Sequence, residues 1–221
     1  MKTEGSYRQL RGMCLILLGL AIGYVIFRVF IGGYAFIESG SMEPTVMTGQ
    51  WVYIDNATFG AVMPRRLSDI PLLNYVCMFP AIYRLDSLSD WGHHKLPALR
   101  MPRRGDVIVF RSPEGTGRLV MKRIIGLPGD TIEIRNGFVI INGSLVRPEY
   151  AILRHPNGSA VKKTSFPAGK SWDIENYGPY VVSPEPPVRY FVMGDNRPHS
   201  TDSRFWGLVE YDSICGRLIK Y

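Results

Sequence analysis

A run of apolar residues close to the N-terminus constrains this chain more than any other feature. Met13 to Phe27 carry no charge, Arg28 interrupts, and Val29 to Ile37 resume the run with two glycines. A bilayer-crossing helix of about 20 residues must therefore include Arg28 or end at it, and an arginine there can extend its charged head to the interface. A segment committed to lipid contributes nothing to the core of a water-facing domain, so the fold has to be built from the residues beyond it. Lys2, Arg8 and Arg11 precede the run and by the positive-inside rule hold the short N-terminus in the cytoplasm, sending residues from 34 onward outside. The expected layout is a tail over residues 1–11, a single-pass anchor over 12–33 and an extracytoplasmic domain over 34–221. The competing reading is a cleavable leader, because Gly33-Tyr34-Ala35 offers small residues at a possible cleavage point. Cleavage there would leave Ser41 close to a new N-terminus, whereas retention keeps it at the membrane surface.

The domain reads as mainly β. Val107–Phe110, Leu119–Ile125, Thr131–Arg135, Phe138–Ile141 and Tyr190–Met193 are short runs rich in Val, Ile, Phe and Tyr, bounded by turn residues, as strands are. Asn136-Gly137 is a hairpin signal. Leu127-Pro128-Gly129-Asp130 is a second tight turn, so the 119–125 strand and the two after it are expected to form a meander. Residues 56–103 differ: Pro64, Pro71, Pro80, Pro97 and Pro102 stand among Phe59, Tyr75, Phe79, Tyr83 and Trp91. Repeated proline argues against a long regular element. An insertion packed on the sheet is expected, its aromatics covering the core or, as the less ordinary alternative, touching lipid.

Lys122 carries the chemical signal. In Leu119-Val120-Met121-Lys122-Arg123-Ile124-Ile125, period-two alternation puts Lys122 on the face of Val120 and Ile124, with Arg123 opposite. Burial without a counter-charge depresses a lysine pKa and makes a neutral amine available as a general base. A lone strand lysine more ordinarily snorkels to an edge, so the assignment needs partners. Two stretches offer them. In Glu38-Ser39-Gly40-Ser41-Met42-Glu43-Pro44-Thr45, an extended chain would face Ser39 and Ser41 to one side, with Gly40 leaving room for another backbone. The run from Met193 to Gly207 is turn-rich and carries hydroxyls and both charge signs.

Taken in order, these segments resemble the type I signal peptidases, the membrane-anchored Ser/Lys endopeptidases of bacteria. The matching pieces are Ser39-Gly40-Ser41-Met42 with Pro44-Thr45, Arg104-Gly105-Asp106-Val107-Ile108-Val109-Phe110, Lys122 through Asp130, and Gly194-Asp195-Asn196-Arg197 with Asp202-Ser203-Arg204 and Trp206-Gly207. Residues 56–103 and 144–188 carry no matching motif. The resemblance implies a serine endopeptidase that removes N-terminal signal peptides from exported preproteins after Ala-x-Ala sites. In it Ser41 is the nucleophile, Lys122 the base, and Ser39 with the Ser41 main-chain N–H the oxyanion donors. Ser200 hydrogen-bonds and orients the lysine, and Asp202 with Arg204 forms a structural ion pair. It also implies a mainly antiparallel β domain with a small accessory β region over 144–188. The residue before Ser39 is usually proline in that family and here is Glu38, whose carboxylate is expected to point away from Lys122. Ile37, Met42, Val120 and Met121 are candidate pocket walls for an extended substrate added beside the strands bearing Ser39 and Lys122.

Other chemistries have less support. His93, His94, His155 and His199 lie in no Gly-x-Ser-x-Gly or His-Glu-x-x-His pattern, so neither a histidine triad nor a metal site is indicated, and no cofactor is expected. The net charge of +7 comes from scattered residues without a nucleic-acid motif, which favours membrane lipid over nucleic acid as the anionic partner. Cys14 falls in the span, leaving Cys77 and Cys215 either bridged or free; free thiols are expected. Sequons at Asn56, Asn142 and Asn157 matter only in a eukaryotic secretory route. A monomer is expected. Alternatives to a general leader peptidase are a Ser/Lys protease dedicated to one partner and an inactive peptide-binding homologue. Ser41 and Lys122 are both present, which speaks against the second.

Overall fold

The computed structural model describes residues 2–113, 115, 117–146 and 175–219; His155, Asn157 and much of the 144–188 stretch lie outside the described residues. The chain opens with α1 (Lys2–Ile26), continues through a wider turn of helix over Phe27–Ile31, and enters β1 (Gly32–Phe36) directly. Apolar side chains from Met13 to Phe27 are exposed along α1, and Tyr7–Ile31 is long and apolar enough to cross a membrane. Arg28 folds back over β1. Its Nη1 donates to the Tyr34 carbonyl at 3.3 Å, and a Cβ on Gly33 would collide with the guanidinium.

The later strands are β2 (Trp51–Asp55), β3 (Val107–Arg111), β4 (Leu119–Gly126), β5 (Thr131–Arg135), β6 (Phe138–Ile141), β7 (Ser144–Val146), β8 (Tyr177–Val181), β9 (Arg189–Met193), β10 (Val209–Glu210) and β11 (Ile214–Ile219). They form two antiparallel sheets, one of seven strands in the order β1-β2-β11-β3-β4-β9-β10 and one of four in the order β7-β6-β5-β8. Each run expected as a strand is one. Asn136 and Gly137, at φ 50° and 79°, close the β5–β6 hairpin with Arg135 opposite Phe138, the two-residue turn that needs two positive φ angles.

The expected meander from β4 is not formed. β4 pairs with β3 and β9, while β5 pairs with β6 and β8. The Leu127–Asp130 turn is a corner between sheets: the Asp130 carboxylate accepts from the Leu127 N–H at 2.6 Å and from Arg104 at 2.9 Å, and Gly129 N–H donates to Val182 O at 2.8 Å. These bonds turn β5 away from β4. The accessory sheet therefore begins at residue 131, earlier than expected, and draws its first two strands from outside 144–188. A shared cluster joins it to the large sheet, with Ile132, Ile134, Val139 and Tyr177 from the small sheet against Ile125, Phe191 and Met193 from the large one. The Tyr177 and Phe191 rings lie 5.6 Å apart, an aromatic contact added to the hydrophobic gain of burial.

Between β2 and β3 lie α2 (Leu73–Val76) and α3 (Pro80–Leu88). Pro80 begins α3 instead of preventing it, because the first helical position needs no N–H. Of the five aromatics expected to cover the core, Phe59 alone is buried; Tyr75, Phe79, Tyr83 and Trp91 are exposed. Cys77 and Cys215 are free thiols.

Candidate active site

Ser41 and Lys122 meet in a buried pair: Lys122 Nζ donates to Ser41 Oγ at 2.8 Å. Lys122 projects from β4 opposite Ile108 of β3, and its same-face neighbours Val120 and Ile124 pack in one cluster with Ile108. The alternation of the strand thus drives the lysine stem into apolar surroundings, leaving it 3% exposed. Burial pushes its pKa down to about 8, with Arg204 also lowering it and Asp202 and Asp195 pulling it back up. Glu38 sits exposed on the rim of the adjoining cleft.

Burial alone does not make a base. Lys95 is also pushed down to about 8, chiefly by burial, but its Nζ donates to Tyr211 O at 2.7 Å and lies 3.7 Å from the centre of the Tyr211 ring. That lysine pins the 56–103 segment to the sheet. What separates Lys122 from it is the serine hydroxyl within bonding distance.

Ser41 is not on an extended strand with Ser39, as alternation suggested. Gly40–Met42 forms a 3-10 turn, and extended Ser39 caps it, its Oγ accepting from Ser41 N–H at 3.3 Å. Asn196 holds the turn from the other side, donating from its backbone to Ser41 O at 3.1 Å and from Nδ2 to Gly40 O at 3.1 Å. Gly194 makes this approach possible, since a Cβ there would lie 2.5 Å from Ser41 O and 2.2 Å from Ser200 Oγ.

Arg123, on the opposite face of β4, ties three motif segments together, a role sequence reading missed. It donates to Asp195 Oδ1 at 2.9 Å and Oδ2 at 2.6 Å, to Gly105 O at 2.8 Å and to Thr45 Oγ1 at 3.1 Å, while Thr45 Oγ1 donates to Asp195. The available signal was the arginine itself: a cation held largely inside the fold requires an acid, and Asp195 was one of few in the motifs.

Asp202 and Arg204 form a fully buried pair, Nε to Oδ1 at 2.8 Å and Nη2 to Oδ2 at 2.9 Å. Asp202 also accepts from Gly194 N–H at 3.0 Å, and Arg204 donates to Arg197 O at 2.8 Å. Ser200 is buried beside them. The expected hydrogen bond from Ser200 to Lys122 is not formed: its hydroxyl lies against Gly194 and makes no well-aligned hydrogen bond, although it is near enough to Asp202 to help hold that carboxylate's charge. The strand and its apolar neighbours position the lysine instead. His199, the histidine nearest the Asp202–Arg204 pair in sequence, is exposed.

A cleft of about 300 Å³ opens over the Ser41–Lys122 pair, lined by Phe36, Ile37, Glu38, Ser39, Ser41 and Met42 on one side and Arg118, Leu119, Val120, Met121 and Lys122 on the other. All four expected wall residues line it. β9 pairs with β4 only from Arg123 onward, so among the described residues no strand pairs with the second edge of Leu119–Lys122. Ile37 is bonded on its other side, to Gln50 O at 3.0 Å and from Gly49 N–H at 2.8 Å. The edge of β4 and the chain that follows β1 thus border an open slot.

Residues 9–220 match the family model described as Signal peptidase, peptidase S26. Signal peptidase I of Leptolyngbya laminosa is 35% identical over 125 residues, 53% of this chain and 51% of that protein. Signal peptidase I P of Bacillus subtilis subsp. natto is 40% identical over 115 residues, 52% and 55% of the respective chains. Probable signal peptidase I-2 of Synechocystis sp. is 26% identical over 219 residues, 97% and 72%. The matches thus span about half the length of the first two relatives. A crystal structure of a signal peptidase I from Enterococcus faecalis V583 shares 34% identity, covers 55% of this chain and 100% of that one, and has a TM-score of 0.39.

Proposed function

Since the chain belongs to the signal peptidase family, peptidase S26, we propose that it is a membrane-bound serine endopeptidase that removes N-terminal signal peptides from exported preproteins by Ser41/Lys122 acyl transfer. The observation that carries this reading is the 2.8 Å contact between Nζ and Oγ on the floor of a cleft bordered by the edge of β4 and the chain that follows β1. An ammonium can only donate to the hydroxyl. Once Lys122 loses its proton the bond reverses, and the amine takes the Ser41 proton as Oγ attacks the substrate carbonyl carbon. The resulting ammonium then gives that proton to the departing amine, leaving an acyl-serine and a neutral lysine. Water attacks the ester with the same lysine as base, releasing the carboxylate product and restoring the hydroxyl.

Ser39 O–H and Ser41 N–H serve as oxyanion donors. In the free site they are bonded to each other at 3.3 Å, a long contact that a developing oxyanion displaces. Ser39→Ala should cost about 10² to 10³ in kcat, the scale of one oxyanion donor; a change confined to KM would contradict the role. Asp202 and Arg204 shape the pocket without touching substrate. Ile37, Met42, Val120 and Met121 restrict the first and third residues before the bond to small side chains, which gives the Ala-x-Ala preference. One copy of the chain supplies all these groups, in keeping with a monomer anchored by α1 with its domain on the extracytoplasmic side.

The test is an assay of the purified full chain, in detergent, on a preprotein with an Ala-x-Ala site, beside Ser41→Ala. Product ending at the second alanine is expected from the parent and none from the variant. Retained turnover in Ser41→Ala, or efficient cleavage after Phe, would overturn the reading.

A further inference from the structure

The helical part of the 56–103 segment is folded inside out. In α3 the inward positions are Ile82 and Asp86, one turn apart, and the Asp86 carboxylate, 4% exposed, accepts from the backbone N–H groups of Leu67 at 2.8 Å and Ser68 at 3.3 Å. The outward face carries Tyr83, Leu85 and Leu88, the last two 69% and 85% exposed, and Met78 and Phe79 extend it across the turn before the helix at 77% and 65%. A helix bordering water places its acid outside and its leucines inside. Each such side chain gains about 1.5–3 kcal/mol when removed from water, so five of them exposed within residues 78–88 mark a surface that something covers.

The place where the segment begins identifies the cover. Asn56 Nδ2 donates to the carbonyls of Arg28 at 3.1 Å and Val29 at 3.4 Å, and Asn56 N–H donates to Ile31 O at 2.9 Å. The foot of the segment is therefore bonded to the end of the apolar helix, where the chain leaves a bilayer. A cleft of about 290 Å³ has Arg28 and Val29 on one wall and Met63, Pro64 and Pro71 on another, a second contact between the same two regions. The segment is also cationic, with six Lys and Arg against three Asp between residues 56 and 103. Arg84 stands exposed on α3 itself, and an apolar helix face carrying a cation is the composition of an element lying in a lipid interface.

We propose that α2, α3 and the turn joining them are an interfacial docking element that seats Met78, Phe79, Tyr83, Leu85 and Leu88 among the headgroups and upper acyl chains of an anionic membrane, giving the protein a lipid contact beyond α1. The domain is then held at two places, which fixes the height and tilt of the Ser41 cleft above the bilayer. The inference rests on α1 as a membrane span and not on the peptidase chemistry.

The test uses the full chain reconstituted in phosphatidylcholine–phosphatidylglycerol vesicles, with a nitroxide at Leu88→Cys in a Cys14→Ala, Cys215→Ser background. Relative to the same label at exposed Glu185→Cys, the Leu88 label should show several-fold fewer collisions with a water-soluble nickel chelate and more with oxygen, and the effect should weaken in pure phosphatidylcholine. Equal nickel access at both positions overturns the proposal. So does dipolar broadening at Leu88 that persists on dilution with lipid, which would assign the face to a second copy. A triple variant, Met78→Ser, Leu85→Ser and Leu88→Ser, should keep the parent's melting temperature and its turnover of a soluble peptide in detergent, yet cleave a vesicle-inserted preprotein several-fold more slowly. A lowered melting temperature would show that the residues pack within the fold and would also overturn it.

Discussion

Lys122→Met is expected to turn over no substrate and to melt about 4–8 °C above the parent at neutral pH. The lysine pays for its chemistry in stability. Its pKa of about 8 against an ordinary 10.5 corresponds to about 3 kcal/mol of cost for holding the ammonium in apolar surroundings, at roughly 1.4 kcal/mol per pH unit. A methionine of similar length removes that cost and forfeits about 1 kcal/mol of hydrogen bond to Ser41, for a net gain of about 2 kcal/mol, each worth about 2–4 °C in a domain of this size. The pH dependence has a defined sign. Between the folded pKa of about 8 and the unfolded value, the unfolded chain binds more protons, so parent stability rises with pH through that window and the advantage of the variant shrinks. Activity follows the same titration, with the parent rate climbing with pH to a plateau above about 8. Lys122→Arg should also be inactive, because a guanidinium does not deprotonate at working pH. Paired thermal melts and a pH–rate profile are the measurements. A variant less stable than the parent, or a rate flat across about pH 8 with chemistry limiting, would show that burial does not tune this lysine.

The parts of this molecule that could be read from the chain are those whose cause is local. Runs of Val, Ile, Phe and Tyr bounded by turn residues located β3 to β6 and β9 because such side chains fit a pleated sheet, and Asn136-Gly137 announced its hairpin because only such residues accept two positive φ angles cheaply. The inward aim of Lys122 was legible from the period-two alternation of its strand. Its pairing with Ser41 was not, since a contact across 81 residues depends on sheet order, and only the family resemblance brought the two together beforehand. The Leu127–Asp130 turn does not make the expected hairpin because a tight turn does not say whether the next strand returns along the last one; here Asp130, bonded to Leu127 and Arg104, sends it into another sheet. The helices at Leu73 and Pro80 were hidden behind prolines, and the patch they expose runs against the usual rule that leucines face inward, so pattern alone could not orient it. The Thr45–Arg123–Asp195 knot joins residues from three separate motifs, and nothing inside any one motif points to the other two.

Arg204→Met is expected to destabilise the fold by about 3–5 kcal/mol at neutral pH, the cost of leaving a buried charge uncompensated. Asp202 is fully buried. Burial pushes its pKa up, but the Arg204 charge and hydrogen bonds, with the Gly194 N–H, outweigh it and hold the carboxyl below its ordinary value. The native pair therefore contributes stability above about pH 4, which is lost as pH falls through the folded pKa. With Arg204 gone only the Gly194 N–H and Ser200 still oppose burial and the folded pKa rises, so acid should relieve the variant by neutralising the stranded carboxylate, and the gap to the parent should narrow as pH is lowered. Asp202→Asn with Arg204→Met removes both charges while keeping an acceptor for Gly194 N–H, and should be less damaging than Arg204→Met alone. The loop this pair holds carries Gly194 against Ser41 O and Asn196 on the nucleophile's turn, so the single variant should also lose turnover at temperatures where it is still folded, and the double variant should regain part of it. Denaturant melts of the parent and the two variants across about pH 3 to 8, with activity on a soluble peptide, decide the matter: a cost below about 1 kcal/mol for Arg204→Met, the range of an exposed ion pair, would mean that water reaches Asp202 and that the loop is held by other bonds.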